Sequence, residues 1–256
     1  MNMDRARVCF LTLIWALFSC FSLIHAQDTT GKGGLERFKD KDFAGAIQLL
    51  KNSKDPIDAR IVAMSYEGLG KRKEAIRAFD LSFKSGYSLF DDAFQKWTKD
   101  KGGKSFLALL SNLSEVISAS LSSAESVLRL GGKADVDNEW RHKANILFDL
   151  QKIAESSTEF YRSSDLDTPM TILKRSRPLI SANICVDRAN LDVILQFQVL
   201  FHPDGKTVTV IPASKWKKNC HESSVLSAIN MTFDPGLKDG KQVGTIKMIE
   251  YSFSVR

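Results

Sequence analysis

The chain of 256 residues is poor in proline, histidine and cysteine, and each shortage argues against particular kinds of segment or site. Its six prolines are scattered, so it has no long proline-rich spacer. The four histidines, at positions 25, 142, 202 and 221, show no zinc-binding spacing, and neither a Gly-x-Ser-x-Gly elbow nor a phosphate-binding glycine loop occurs. We therefore expect no metal, no cofactor and no enzymatic activity.

A concentrated positive charge is also missing. The net charge is +6, yet there is no run of five basic residues and no nucleic-acid-binding motif, so we expect no nucleic-acid partner. What is present is ordinary globular composition, with 43% hydrophobic and 26% charged residues. A chain of this length and composition can bury a sizeable core in one or two domains.

The first 26 residues indicate export. Arg5 and Arg7 precede an apolar run over 8–24, and Ala26 supplies a small residue for cleavage, which is the pattern of a secretory signal peptide. The apolar run is at the lower length limit for a membrane-spanning helix, so an uncleaved anchor is the alternative. We expect a periplasmic or other cell-envelope protein that contacts membrane only through residues 8–24, and only if they are retained.

Cysteine usage agrees with an oxidising compartment. Cys9 and Cys20 lie in the leader, which leaves Cys185 and Cys220 as one pair in the mature chain. An even count in an exported protein favours a disulfide between them, and two buried free thiols are the alternative.

Residues 27–163 carry helical periodicity. One stretch resembles a tetratricopeptide repeat, a pair of helices packed through small side chains, and a partial copy spans 34–50. The matching residues are Ala63, Tyr66, Gly70, Ala75, Phe79 and Ser82. The resemblance implies that Arg60, Met64 and Glu67, which share one helix face, line a peptide-binding groove, and a solvated face is the alternative. Further helices are predicted over 87–99, over 106–130 and after Asp137, and a linker over 164–176.

The last quarter predicts a small sheet. Odd positions from Val193 to Phe201 are apolar, as in a strand with one buried and one largely wet face. Pro203-Asp204-Gly205 predicts a tight reversal, and a β-branched strand follows over 207–211. A short amphipathic helix from Glu222 and a final strand over 243–255 complete the pattern.

These residues resemble the C-terminal domain of the TonB energy transducers. The resemblance rests on Phe-x-Val-x-Phe before Pro-Asp-Gly, on Ser227-Ala228-Ile229, on the run from Phe233 to Lys241, and on the closing Tyr-Ser-Phe-Ser-Val. It implies a short first helix over 182–190 and an exposed last strand that binds an extended peptide by strand addition. That edge would comprise Thr245, Ile246, Lys247, Met248, Ile249 and Glu250. An ordinary terminal strand, or a homodimer formed through it, is the alternative.

The expected fold is α+β: an all-α tetratricopeptide-like region, then a TonB-like domain over 177–256 with a three-stranded antiparallel sheet and one or two helices. The expected function is protein–protein interaction in the cell envelope, with an outer-membrane transporter segment as the partner that the resemblance implies, in energy transduction or transport. Two alternatives stay open. One is a secreted enzyme or ligand-binding protein with a pocket between the two domains, and the other is a structural scaffold.

N-terminal sequencing of the native protein tests the leader. We expect the mature chain to start at Gln27, because cleavage follows a small residue after the apolar run. A chain that retains residues 1–26 would instead support the anchored form.

Overall fold

The computed structural model describes residues 31–100, 105–132, 137–180, 185 and 192–254, and it has an α+β fold. The predicted leader, and the predicted short helix over 182–190 apart from Cys185, lie outside these residues. The helices are residues 31–39 (α1), Phe43–Leu50 (α2), Pro56–Gly68 (α3), Arg72–Lys99 (α4), Phe106–Asn112 (α5), Ser114–Arg129 (α6), Asn138–Ser156 (α7) and Lys218–Ile229 (α8). The strands are Phe160–Arg162 (β1), Thr171–Lys174 (β2), Asp192–Phe201 (β3), Thr207–Pro212 (β4), Thr232–Asp234 (β5), Leu237–Lys238 (β6), Lys241–Gln242 (β7) and Gly244–Ser254 (β8).

The helices α3 and α4 pack as the sequence predicts, through small side chains. Asp55 caps α3 by accepting a hydrogen bond from the Ile57 N–H at 2.7 Å. Ala63 and Ala75 are fully buried where the two helices meet. The predicted start of a separate helix at residue 87 is wrong, because α4 continues unbroken through Ser85 and Gly86 to Lys99.

The predicted helix over 106–130 is instead two helices. It divides at Leu113 into α5 and α6, whose axes are bent by 63°. In the part of the chain that is described, no single helix has the length and hydropathy to cross a membrane, and α5 with α6 meets that test only as this bent pair.

Helix α6 crosses α4 closely at a glycine. A Cβ built on Gly86 would collide with the Ser120 hydroxyl, which itself donates to the Val116 carbonyl at 2.6 Å. Nearby, the Ser82 hydroxyl donates to the Pro56 carbonyl at 2.7 Å and lies 2.9 Å from the Ser123 hydroxyl. Small residues thus let these backbones approach with their buried polar groups paired.

The main sheet has four strands in the order β1-β8-β3-β4. β3 pairs antiparallel with both β4 and β8, while β1 pairs parallel with β8. The predicted reversal is present, since the His202 N–H donates to the Lys206 carbonyl at 2.8 Å and Gly205 has a φ of 86°. The fourth strand, β1, was not predicted, and it comes from residues that we assigned to the helical region.

Both faces of the sheet are covered. One face packs beneath α8 through the odd positions of β3 and through Ile249, Tyr251 and Phe253 of β8. On the opposite face, Leu200, Ile211 and Ile246 belong to the same apolar cluster as helical residues that include Leu147 and Phe160. The prediction of a largely wet second face is therefore wrong at this end of β3, where Leu200 is fully buried and Gln198 is 8% exposed. It is right at Ile194, which is 58% exposed.

The predicted linker over 164–176 also takes part in the fold. β2 pairs antiparallel with β5, and Thr168 forms a bridge with Leu237. Asp167 accepts hydrogen bonds from Lys238 Nζ at 3.0 Å and from the Asp239 N–H at 2.6 Å. The helical and sheet halves are consequently joined by structured chain.

Replacing Gly86 by valine tests the close helix crossing. The branched side chain would have to displace Ser120, so we expect the free energy of unfolding to fall by about 1–3 kcal/mol in denaturant titration. Ser88→Val, on an exposed position of the same helix, is the control and should cost much less. Equal losses in the two variants would contradict the crossing.

Candidate functional site

The structure joins Cys185 to Cys220, as the even cysteine count favours, and both residues are almost fully buried. Their Cα atoms are 5.4 Å apart and 35 positions separate them in sequence. A bridge that closes a loop of this length stabilises a fold by roughly 3–4 kcal/mol in the chain-entropy model. It ties Cys185 to the start of α8, beside the fully buried His221.

The predicted helical groove is occupied by the protein itself. Helix α6 packs on the face of α3 that carries Arg60, Met64 and Glu67. Glu67 is held by Arg129 of α6 through two hydrogen bonds of 2.7 and 2.9 Å, which lower the pKa of that carboxyl. Met64 packs against the helical core, and Arg60 lines only a shallow surface pocket beside α6. These three residues therefore do not line an open peptide groove.

The predicted peptide-binding edge is partly covered. In the parallel pairing with β1, Thr245 lies opposite Tyr161 and Ile246 opposite Arg162, so these two residues do not belong to an open edge. β1 is fixed in place because Phe160 is buried among the helices and Arg162 donates to the Trp97 carbonyl at 3.0 Å. Beyond Ile246, the described residues give β8 no further strand partner on this side, which leaves Lys247, Met248, Ile249 and Glu250 of the expected set.

The pairing of β8 with β1 and β3 shows which of its backbone N–H groups face the open side. The Gly244 N–H points away from β3, since it donates to the Glu159 carbonyl at 3.0 Å. Successive residues of a strand alternate in the direction of their N–H groups, and the β3–β8 register is continuous. The N–H groups of Met248, Glu250 and Ser252 therefore face the open side of β8, while those of Ile249 and Tyr251 face β3.

A groove runs along this open edge. It has a volume of about 670 Å³ and lies between the end of β8, from Glu250 to Ser254, and the segment 175–180. Arg175 and Arg177 stand on its wall, and the Arg175 guanidinium lies 4.9 Å from the Tyr251 ring centroid. Leu179, in the same segment, is 97% exposed. The groove thus combines the positive charge of Arg175 and Arg177 with backbone N–H donors that have no acceptor among the described residues.

A second cavity, which we call the interdomain cavity, opens between the helical half and the sheet. Its volume is about 430 Å³. Three separate segments line it: α4, α7 and the chain that follows β4. The lining residues are Tyr87, Asp91, Gln95, Glu139, His142, Lys143, Pro212, Ala213, Ser214, Lys215 and Trp216.

Aromatic rings form one wall of the interdomain cavity. The Trp216 ring lies 5.3 Å from the His142 ring and stacks on His221 at 4.9 Å. Burial lowers the pKa of His142 and of His221. Both imidazoles are then neutral near pH 7, and His142 donates from Nε2 to the Val210 carbonyl at 2.8 Å.

Acidic groups and Lys143 also line the cavity. Lys143 Nζ lies 2.6 Å from Glu139 Oε1 and 5.2 Å from the centroid of the Tyr87 ring. Burial raises the pKa of Asp91, and burial with the nearby Asp91 and Glu139 raises that of Tyr87. Among the described residues, Asp91 is in no ion pair and accepts only a long hydrogen bond of 3.4 Å from Gln95.

A pocket between the two halves was one of the alternatives that the sequence left open, and no pattern in the sequence pointed to these residues. Asp91, Lys143 and Trp216 lie far apart along the chain, so no local spacing could reveal the interdomain cavity. The described residues contain no group of three or more His, Cys, Asp or Glu side chains that could hold a metal ion. Comparison of the chain with protein-family models, curated proteins and solved structures found no match.

Asp149 of α7 gives the interface with β4 a pH dependence. Burial raises its pKa to about 6, although a hydrogen bond with the Thr209 side chain acts in the opposite direction. An unfolded aspartate has a pKa of about 3.9, so the folded protein binds the proton more tightly. The contribution of Asp149 to the free energy of unfolding should therefore fall as the pH rises from about 4 to about 6.

Replacing Asp149 by asparagine tests this effect. We expect the melting temperature at pH 7.5 to rise relative to the parent protein, because the variant carries no charge there, and to change little at pH 4. Glu155→Gln, on an exposed position of the same helix, should shift neither value. A lower melting temperature for Asp149→Asn at pH 7.5 would contradict the assignment.

Proposed function

We propose that the protein is an exported interaction protein of the cell envelope whose C-terminal sheet binds an extended peptide along the open side of β8. The observation that carries the proposal is the row of outward N–H groups at Met248, Glu250 and Ser252. A sheet edge with such donors can pair with an added strand, whose carbonyl groups accept the hydrogen bonds. The backbone hydrogen bonds supply affinity, and the neighbouring side chains supply selectivity.

The surroundings of the edge support a particular peptide. Arg175 and Arg177 flank the groove. Tyr251 and Phe253 also line it, and both are almost fully buried. An extended segment with acidic side chains would place its carboxylates near the two arginines, where charge-assisted hydrogen bonds are strongest. The TonB resemblance implies that the partner in the envelope is a segment of an outer-membrane transporter. Because β1 already pairs with Gly244–Ile246, the added strand would have to pair with β8 beyond Ile246.

The test is a backbone substitution at Ser252. Proline there removes an outward N–H without touching the bonds to β3, because proline is tolerated where its nitrogen faces the open side of an edge. Ser252→Ala keeps the N–H and is the matched control. The probe is a fluorescent peptide, Thr-Glu-Val-Glu-Thr-Val, compared with its lysine counterpart, Thr-Lys-Val-Lys-Thr-Val, at low ionic strength.

We expect the acidic peptide to bind more tightly than the basic one, with affinity lowered about tenfold by proline and unchanged by alanine. Circular dichroism and melting temperature would verify that both variants are folded. Equal binding by all three proteins would overturn the proposal. If sedimentation velocity shows a concentration-dependent dimer that Ser252→Pro abolishes, the strand that pairs with β8 comes from a second copy of the chain and not from a peptide of another protein.

A further inference from the structure

The interdomain cavity holds a carboxylate, Asp91, that forms no ion pair with any of the described residues. Lys143 attracts Asp91 only at longer range, because its Nζ is bound to Glu139 Oε1 at 2.6 Å, one turn earlier on α7. Lys215 also lines the cavity, and it is exposed to solvent. The only hydrogen bond that a described residue gives Asp91 is the 3.4 Å contact from Gln95. A half-buried carboxylate is costly when no described cation lies within ion-pair distance, so this position favours a ligand that brings one closer.

The shape of the cavity indicates how large such a ligand is. A volume of about 430 Å³ is within the range of small-molecule sites, which are commonly about 300–1,000 Å³. The Trp216 indole ring lines the cavity, and the Tyr87 ring, which also lines it, already has the Lys143 ammonium 5.2 Å from its centroid. Aromatic faces beside a carboxylate are a combination that recognises organic ammonium groups in proteins.

We propose that the interdomain cavity binds a small organic amine, with its ammonium group paired to Asp91 and its apolar body against Trp216. The site is distinct from the β8 edge and does not depend on peptide binding there. Because α4, α7 and the chain after β4 all contribute to the wall, a bound amine would bridge the helical half and the sheet.

Isothermal titration calorimetry of the full mature protein tests the proposal with two matched probes. 2-Phenylethylamine carries the ammonium, and 2-phenylethanol has the same ring and chain length with a neutral hydroxyl. We expect the amine to bind and the alcohol to bind at least about tenfold more weakly, since an ion pair to a half-buried carboxylate is lost.

Two neighbouring substitutions locate the site. Asp91→Asn keeps the shape of the side chain and should weaken the amine at least about tenfold, whereas Asp92→Asn, on the adjacent exposed residue, should leave binding unchanged. Trp216→Leu should weaken both probes. Melting temperatures establish that each variant is folded.

Three results would overturn the proposal: no heat of binding for the amine, equal affinity for the two probes, or equal effects of Asp91→Asn and Asp92→Asn. A third probe tests whether the bound ammonium group belongs to a small molecule or to a lysine side chain of another protein. The tripeptide Gly-Lys-Gly, acetylated and amidated at its ends, should bind more weakly than 2-phenylethylamine because it lacks a ring to pack on Trp216. Tighter binding by the tripeptide would assign the site to a lysine side chain and so contradict a small-molecule ligand.

Discussion

The apolar contact between the helices and one face of the sheet is the constraint on which the rest of the structure depends. Leu200, Ile211 and Ile246 share a cluster with Leu147 and Phe160, and all five are almost fully buried. Each such side chain contributes roughly 1.5–3 kcal/mol when it is removed from water. A sheet packed beneath α8 alone would leave these residues exposed, so the helical half completes the core of the C-terminal half.

Both candidate sites follow from this shared core. Burial of Phe160 among the helices holds β1 against Gly244–Ile246, and the length of β1 decides where the open edge of β8 begins. The same packing sets α7 against β4 and leaves the interdomain cavity beside the contact. The edge offers backbone donors and positive charge, whereas the cavity offers aromatic faces and a carboxylate. The two surfaces thus suit different ligands.

The sequence predicted what depends on short-range patterns. The alternation from Val193 to Phe201 and the turn at Pro203-Asp204-Gly205 place β3 and β4 correctly, since period and turn chemistry are local. The continuation of α4 through Gly86 was missed because Ser-Gly favours a break in isolation. In the folded protein, α6 crosses α4 so closely at Gly86 that a larger side chain would collide with Ser120, and glycine is therefore favoured within this helix. The bend at Leu113 was missed because an apolar stripe keeps its period whether or not the helix changes direction.

Features that join distant residues could not be read from the sequence. β1 has three residues, too few for an alternation to be detected, and its partner lies more than 80 positions away. The pairing of Glu67 with Arg129 closes the expected groove, yet nothing near either residue indicates it. The interdomain cavity likewise needs three segments. In contrast, the disulfide could be predicted because only two cysteines follow the predicted leader.

Native-state hydrogen exchange in increasing denaturant tests the central claim most directly. If the helices and the sheet share one core, the slowest amides of α7, at Ile146 and Leu147, and those of β3 and β8, at Leu200 and Ile249, should open with the same free energy and denaturant dependence. Amides of β3 and β8 that stay protected after those of α7 have opened would show that the sheet folds without the helices, which would contradict the account.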